Sequence, residues 1–253
     1  MLLHEGMKNK LIISIFFLYG GMLWAQEKGA AIIPSDTVLT NYLTEAKAYA
    51  ALYTGKTETP YETRFTNHPY FETDRYVSGT LCFNRLVYRD VMMRIDLFRD
   101  EITVVSPYIP YRIVLNNEKF DYAVLNGSTI IKSKEGKESK EKFLVLLHDG
   151  TYPVVRKHQL NIMEEISSSE RTITRYFKVK LQYAVYIDGI PYPVKNKNAI
   201  LKLFADRKKE LNEYAKLHKL NFKKQTELSI IALVNHYENL TSQKHADETD
   251  LRR

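Results

Sequence analysis

The chain has 253 residues, 37 Lys or Arg against 30 Asp or Glu, a net charge of +7, 44% hydrophobic residues and one cysteine. That length suits one large domain, or a domain with an appendage, and leaves ample scope for a hydrophobic core. A lone cysteine excludes an internal disulfide, so the fold rests on packing.

From the N-terminus, Met7 is followed by Lys8 and Lys10, an apolar run from Leu11 to Trp24, and Ala25. A basic leader, a short apolar stretch and a small residue predict a secretory signal peptide over residues 1–25, cut between Ala25 and Gln26. With Gly20 and Gly21 inside it the run is too short to span a bilayer comfortably, and a retained anchor is the lesser alternative. No cysteine follows it, which closes the lipoprotein route. The protein is expected to be exported, periplasmic or outer-membrane-associated, with no transmembrane segment after cleavage. Trp24, the only tryptophan, leaves with the signal, so any sugar-stacking surface falls to the 18 tyrosines.

Residues 26–74 read as an N-terminal helix and loop segment. Ser35 or Asp36 is placed to cap a short helix through Ala51, and the stretch 56–78, aperiodic and with two prolines, reads as a surface-wrapping loop. Residues 75–195 then read as an antiparallel β domain. Val91, Met93, Ile95 and Leu97 alternate with Arg94 and Asp96, a period of two that predicts strands over 79–84, 86–97 and 101–106. Arg94 and Asp96 then form an exposed ion-pair row on the outward side. Asn126-Gly127, Asp149-Gly150 and Asp188-Gly189 mark hairpins, and residues 132–142, rich in Lys and Glu, a solvated loop.

After Pro193 the period changes. Ile200, Phe204, Leu211 and Ala215 share one helical stripe capped by Asn196 or Asn198, and a second helix from Thr226 through Tyr237 has an apolar side that includes Leu228. Residues 196–240 thus predict a helical hairpin packed on the sheet, and 241–253 a disordered tail. The fold class is α+β, mostly antiparallel β: a curled sheet, sandwich or open barrel built from hairpins, with a C-terminal basic helical hairpin.

The charge is lopsided. Between Lys195 and Lys224 there are ten Lys or Arg against Asp206, Glu210 and Glu213, so the net positive charge is concentrated on the helices. Lys202, Arg207, Lys208, Lys209, Lys216, Lys219, Lys223 and Lys224 make a candidate face for an anionic envelope component or an acidic protein. Nucleic acid is not expected outside the cytoplasm, and solubility alone is the competing explanation.

Candidate chemistry is thin. Cys82 as a nucleophile needs a positioned His, and His68, His148, His158, His218 and His236 stand in no recognisable motif. His148-Asp149 sits at a hairpin turn, where Asp serves backbone geometry, while Asp90, Asp96, Asp100 and Glu101 read as strand surface. There is no phosphate loop, serine elbow or Cys/His cluster, so no cofactor is implied and the reading leans away from an enzyme.

The segments "NHPYF", "GTLCFNRLVYRDVMMRIDLFRDEITVV" and "FLVLLHDGTYPVVRKH", with the stretch from "YAVYIDGIPYPV" to "VNHYENL", resemble a family of exported Bacteroidetes proteins of unknown function, some encoded near TonB-dependent receptors. The resemblance covers roughly residues 50 to 240 and implies a hairpin around Asn84, a further Asp-Gly hairpin and the basic helix pair. Where such relatives carry Asn-Gly at the first hairpin, this chain has Asn84-Arg85. Asp36-Thr37-Val38 resembles an O-glycosylation motif of that phylum, with Thr37 the acceptor. The resemblance implies a non-enzymatic accessory or partner-binding module of an outer-membrane complex. A periplasmic peptide- or glycan-binding module is the alternative, and an unrecognised hydrolase the third reading.

Overall fold

A computed structural model describes residues 52–107, 110–133, 142–167 and 172–250, with side chains as far as Ser242. All fall in the second of two compact units, Lys47–Arg253. The signal segment, the helix capped by Ser35 or Asp36, Thr37, and most of the 132–142 loop lie outside them.

Eleven strands form one open sheet, every neighbouring pair antiparallel. They are β1 (Lys56–Thr57), β2 (Val77–Phe83), β3 (Leu86–Asp96), β4 (Glu101–Val105), β5 (Arg112–Val114), β6 (Phe120–Leu125), β7 (Ser128–Lys132), β8 (Phe143–His148), β9 (Val154–Ser167), β10 (Thr172–Ile187) and β11 (Ile190–Pro193). Their order is β1-β5-β4-β3-β2-β6-β7-β8-β9-β10-β11. A flat sheet would hold β5 and β6 about 19 Å apart. The short connector between them contains a 3-10 turn over Asn117–Lys119 and spans such a gap only if the sheet bends. The bend brings Phe98, after β3, to 5.3 Å from Phe177 of β10, although β2 and β6 to β9 lie between in the ladder.

Turn chemistry sets the register. Asn126-Gly127 and Asp188-Gly189 both have positive φ at their two residues, as a type I′ hairpin requires. Asn84-Arg85 makes the same turn, with φ of 53° and 63°. Arg85 tolerates the left-handed region because its backbone N–H donates to Asp121 Oδ2 at 2.8 Å. The Asp149-Gly150 connection is longer, five residues between β8 and β9.

Met93, Ile95, Ile102, Val104 and Ile130, all fully buried, centre the main core. A second core lies where α1 (Lys197–Leu203) and α2 (Lys208–Leu217) pack on each other and on α3 (Thr226–Asp250), which packs on β8 and β9, around Ile200, Phe204, Leu211, Leu233 and Val234. Leu147 packs against both. Asn196 caps α1, its side chain accepting from Ala199 N at 3.0 Å.

Three expectations are corrected. The first helix is broken: Phe204 leaves helical geometry, with φ −108° and ψ 57°, and stacks on Tyr237 at 4.0 Å. Leu228 is 64% exposed, and Ser229 and Ile230 are buried instead. The α3 backbone continues to Asp250, past the boundary at Leu240.

Glu238 of α3 clasps the β8–β9 turn, accepting from Tyr152 N at 2.8 Å and meeting His148 Nε2 at 2.8 Å. Gly150 lies so close that an added Cβ would collide with His148 Nε2 and both Glu238 oxygens. Gly150→Ala is expected to cost about 1–2 kcal/mol in urea unfolding, because the tips of His148 and Glu238 must move aside and loosen the clasp, and Gly127→Ala about 1 kcal/mol through its positive φ in open space.

Candidate functional site

The basic residues singled out from the sequence are mostly where a charged face needs them. Lys202, Lys208, Lys209, Lys216, Lys219, Lys223 and Lys224 are exposed, and Arg207 is half-buried and bound to Glu210 at 3.1 Å. They do not converge on one point. The surface depression holding Lys208 and Lys209 also presents Asp206 and Glu210. The arrangement supplies a diffuse positive field that can attract an anionic surface, not a pocket that fits one small anion.

The Arg/Asp mixture of β3 is not an exposed row. Asp96 is 5% exposed, and Arg94 lies beneath the 58–76 loop. Arg94 donates to Glu58 Oε1 at 2.7 Å and to the Asp74 carbonyl at 2.6 Å, with its guanidinium 3.7 Å from the Tyr70 ring centre and 4.5 Å from that of Tyr76. Asp96 accepts from Tyr61 Oη at 2.6 Å and from the backbone N–H groups of Phe98 and Arg99, closing the turn after β3. A bare cation under a loop would be too costly to hold, so the loop brings a carboxylate and two aromatic faces to it. Burial first, then the bond to Asp96, pushes the Tyr61 phenol far above its usual range, and burial with the bond to Glu58 does the same for Tyr76. These groups stay protonated and engaged with one another. The tyrosines weighed for a sugar platform are here partners of arginines.

Candidate catalytic groups are held apart by their own contacts. Cys82 is 7% exposed with Sγ 3.7 Å from Asp121 Oδ2, and burial followed by that carboxylate pushes its thiol up, away from the nucleophilic thiolate. His148 serves the α3 clasp, while Asp149 is exposed in the turn. Among the described residues no group of three or more His, Cys, Asp or Glu is placed to hold a metal ion, and no helix is long and apolar enough to cross a membrane.

The hairpin of β9 and β10 carries what the sequence reading missed. Its strands have 14 and 16 residues, whereas β8 pairs with β9 only as far as Lys157 and β11 with β10 only as far as Ala184. The outer part therefore projects beyond its sheet neighbours. On one face Ile166 and Ile173 sit directly opposite each other, 73% and 55% exposed, then come the Glu164–Arg175 ion pair and, beyond it, Ile162, Val179 and Leu181 at 42%, 49% and 46%. The same face is covered in part. Asn67 donates to Phe177 O and accepts from Phe177 N, Phe65 packs 4.3 Å from the Phe177 ring, and Phe71 meets His158 edge-on at 5.9 Å. No family model, no curated protein and no solved structure matches this chain. The site is accordingly read from its own geometry.

Two outcomes follow from these burials. Arg94→Met is expected to lower stability by about 2 kcal/mol in chemical unfolding, because Glu58, 11% exposed, is left with only the more distant Arg112 at 3.7 Å and the Tyr76 hydroxyl. His158, pushed down to about 4 by burial and then by Arg156, stays neutral in the fold while the unfolded chain protonates near the ordinary 6.5. Its contribution is fully present above that value and is lost as pH falls toward 4. His158→Leu should flatten that part of the stability profile by roughly 2 kcal/mol, after discounting for partial exposure.

Proposed function

We propose that this is an exported, non-enzymatic accessory module that binds a protein partner at the cell envelope, in association with an outer-membrane complex. In this reading the bent sheet is an open-barrel scaffold and the helices are its basic face. The observation that carries it is the set of exposed apolar side chains on one face of the projecting hairpin, Ile166 and Ile173 on the outer side of the Glu164–Arg175 ion pair and Ile162, Val179 and Leu181 on its inner side, because apolar surface held out beyond the sheet favours a protein surface over water. The runner-up, a periplasmic peptide- or glycan-binding module, asked for a deep tyrosine-lined cavity. Tyr61, Tyr70 and Tyr76 are instead closed over Arg99 and Arg94. The lysines of the helices supply long-range attraction to an anionic partner, and the hairpin supplies desolvated contact. Export rests on the residue 1–25 pattern and the family assignment on the quoted segments, and both are part of the proposal.

The test is gentle extraction of tagged protein from envelopes at low salt, with identification of what accompanies it. A double variant, Ile166→Ser with Ile173→Ser, should lose specific companions. Replacing Lys208, Lys209, Lys216 and Lys219 by Gln should weaken retention more at low than at high salt. An unchanged set of companions from both variants would remove the reading.

A further inference from the structure

The outer edge of β10 has a gap in its hydrogen bonding. Phe177 N and O are taken by the Asn67 side chain, and Thr66 N donates to Arg175 O at 2.9 Å. At the other end Val194 N donates to Tyr183 O at 2.8 Å, where β11 takes over the edge. Residues 175, 177 and 183 turn their backbone groups away from β9, so by the two-residue period of a strand Val179 and Leu181 do the same. Among the described residues nothing takes up the N–H and C=O groups of those two. Four strongly polar backbone groups thus form an open edge, clamped at both ends and therefore held straight.

Beside this edge runs a groove of about 660 Å³ whose wall includes Leu181, Tyr183, Val194, Lys180 and Lys195. The chemistry alternates. Val179 and Leu181 point to the apolar face, while Lys178 and Lys180, both exposed, point to the other. Among its lining residues are three lysines and no acidic side chain.

The geometry points to strand addition: an extended peptide segment of the protein partner pairs with β10 between Lys178 and Tyr183, continuing the line of β11. Its backbone fills the gap, its apolar side chains lie over Val179 and Leu181, and alternate acidic side chains face Lys178 and Lys180. The charge chooses this occupant over a second copy of the chain. Two β10 edges paired antiparallel would set their lysine rows against one another, and like charges across a strand pair are unfavourable. The inference rests on the partner-binding reading and names where and how the partner is held.

The experiment uses the full protein and three synthetic peptides of about eight residues, enough for one strand. One alternates Glu and Val, one is the same peptide N-methylated at the amides that would face β10, and one alternates Lys and Val. The Glu/Val peptide should slow hydrogen exchange at the Val179 and Leu181 amides. N-methylation should weaken binding by roughly tenfold or more, as losing two backbone hydrogen bonds implies. Lys178→Glu with Lys180→Glu, both exposed positions, should reverse the order of the Glu/Val and Lys/Val peptides. Binding indifferent to N-methylation, protection confined to α1 to α3, or protection of Val179 and Leu181 by self-association without peptide would each overturn the proposal. If the peptides fail while the Ile166/Ile173 variant still loses companions in extraction, strand addition falls and the partner-binding reading stands. If the peptides bind and extraction is indifferent to both of its variants, the edge site stands and the wider reading falls.

Discussion

The structure turns on a buried guanidinium. Arg94 sits on the outward side of β3, where a strand surface would ordinarily meet water, and the sequence 58–76 is laid across it with Glu58, Tyr70 and Tyr76 as its partners. Once the loop is tied there, its middle reaches β10, where Asn67 takes both backbone groups of Phe177. One cation on β3 thereby fixes where the far strand is covered and where its cover stops. The open stretch at Val179 and Leu181 begins immediately beyond that clamp. A loop bonded only by backbone contacts would hold β10 less firmly, because charge-assisted bonds in a half-dry site outweigh neutral ones.

The helices follow a comparable logic. Glu227 and Glu238 lie eleven positions apart, three turns along one face of α3, and meet Arg156 and His148 of the sheet at 2.7 and 2.8 Å. Asp206 accepts from Tyr237 Oη at 3.2 Å, and Glu210 holds Arg207 at 3.1 Å. Glu227 and Glu238 are thus turned to the sheet, while Asp206 and Glu210 stay at the surface among the lysines.

Much of the fold was legible because it is written in local periods. The alternation through Met93 and Ile95, the Asn-Gly and Asp-Gly turns and the stripe from Ile200 to Ala215 each specify an element by themselves. What was not legible depends on partners far along the chain. Phe204 breaks its helix to meet Tyr237, thirty-three residues on, and Arg85 adopts a left-handed turn because Asp121 catches its N–H. Arg94 and Asp96 looked like solvent-facing charges since nothing local announces that Glu58 and Tyr61 will cover them. The candidate site was hidden for a different reason. Val179 and Leu181 alternate with lysines as a core strand alternates with its surface, and burial cannot be read from alternation. The available signal was length: strands of 14 and 16 residues flanked by strands of six and four must leave an unpaired part.

That unpaired part raises the question of how the protein avoids aggregating through it. Open edges are ordinarily blunted by prolines, charges or shortness, and the two ends of this sheet use those devices: β1 has two residues, and β11 carries Pro191 and Pro193. The β10 gap has no proline, and its backbone remains fully able to pair; its protection is the pair of lysines on one face. A charge guard differs from a proline in being conditional. It repels another copy and any basic strand, yet a strand bearing acidic residues at the matching positions is attracted by the same charges. Lys195 borders the groove and also begins the basic stretch that runs through the helices, so the field drawing an acidic partner in and the edge proposed to hold it are continuous along the chain. Long-range attraction of that kind is screened by salt and mainly affects how fast a partner arrives. Backbone pairing with Val179 and Leu181 is short-ranged and governs how long it stays. Salt should therefore act on association far more than on the lifetime of the bound strand, a division that separates the roles of the basic helices and of the β10 edge.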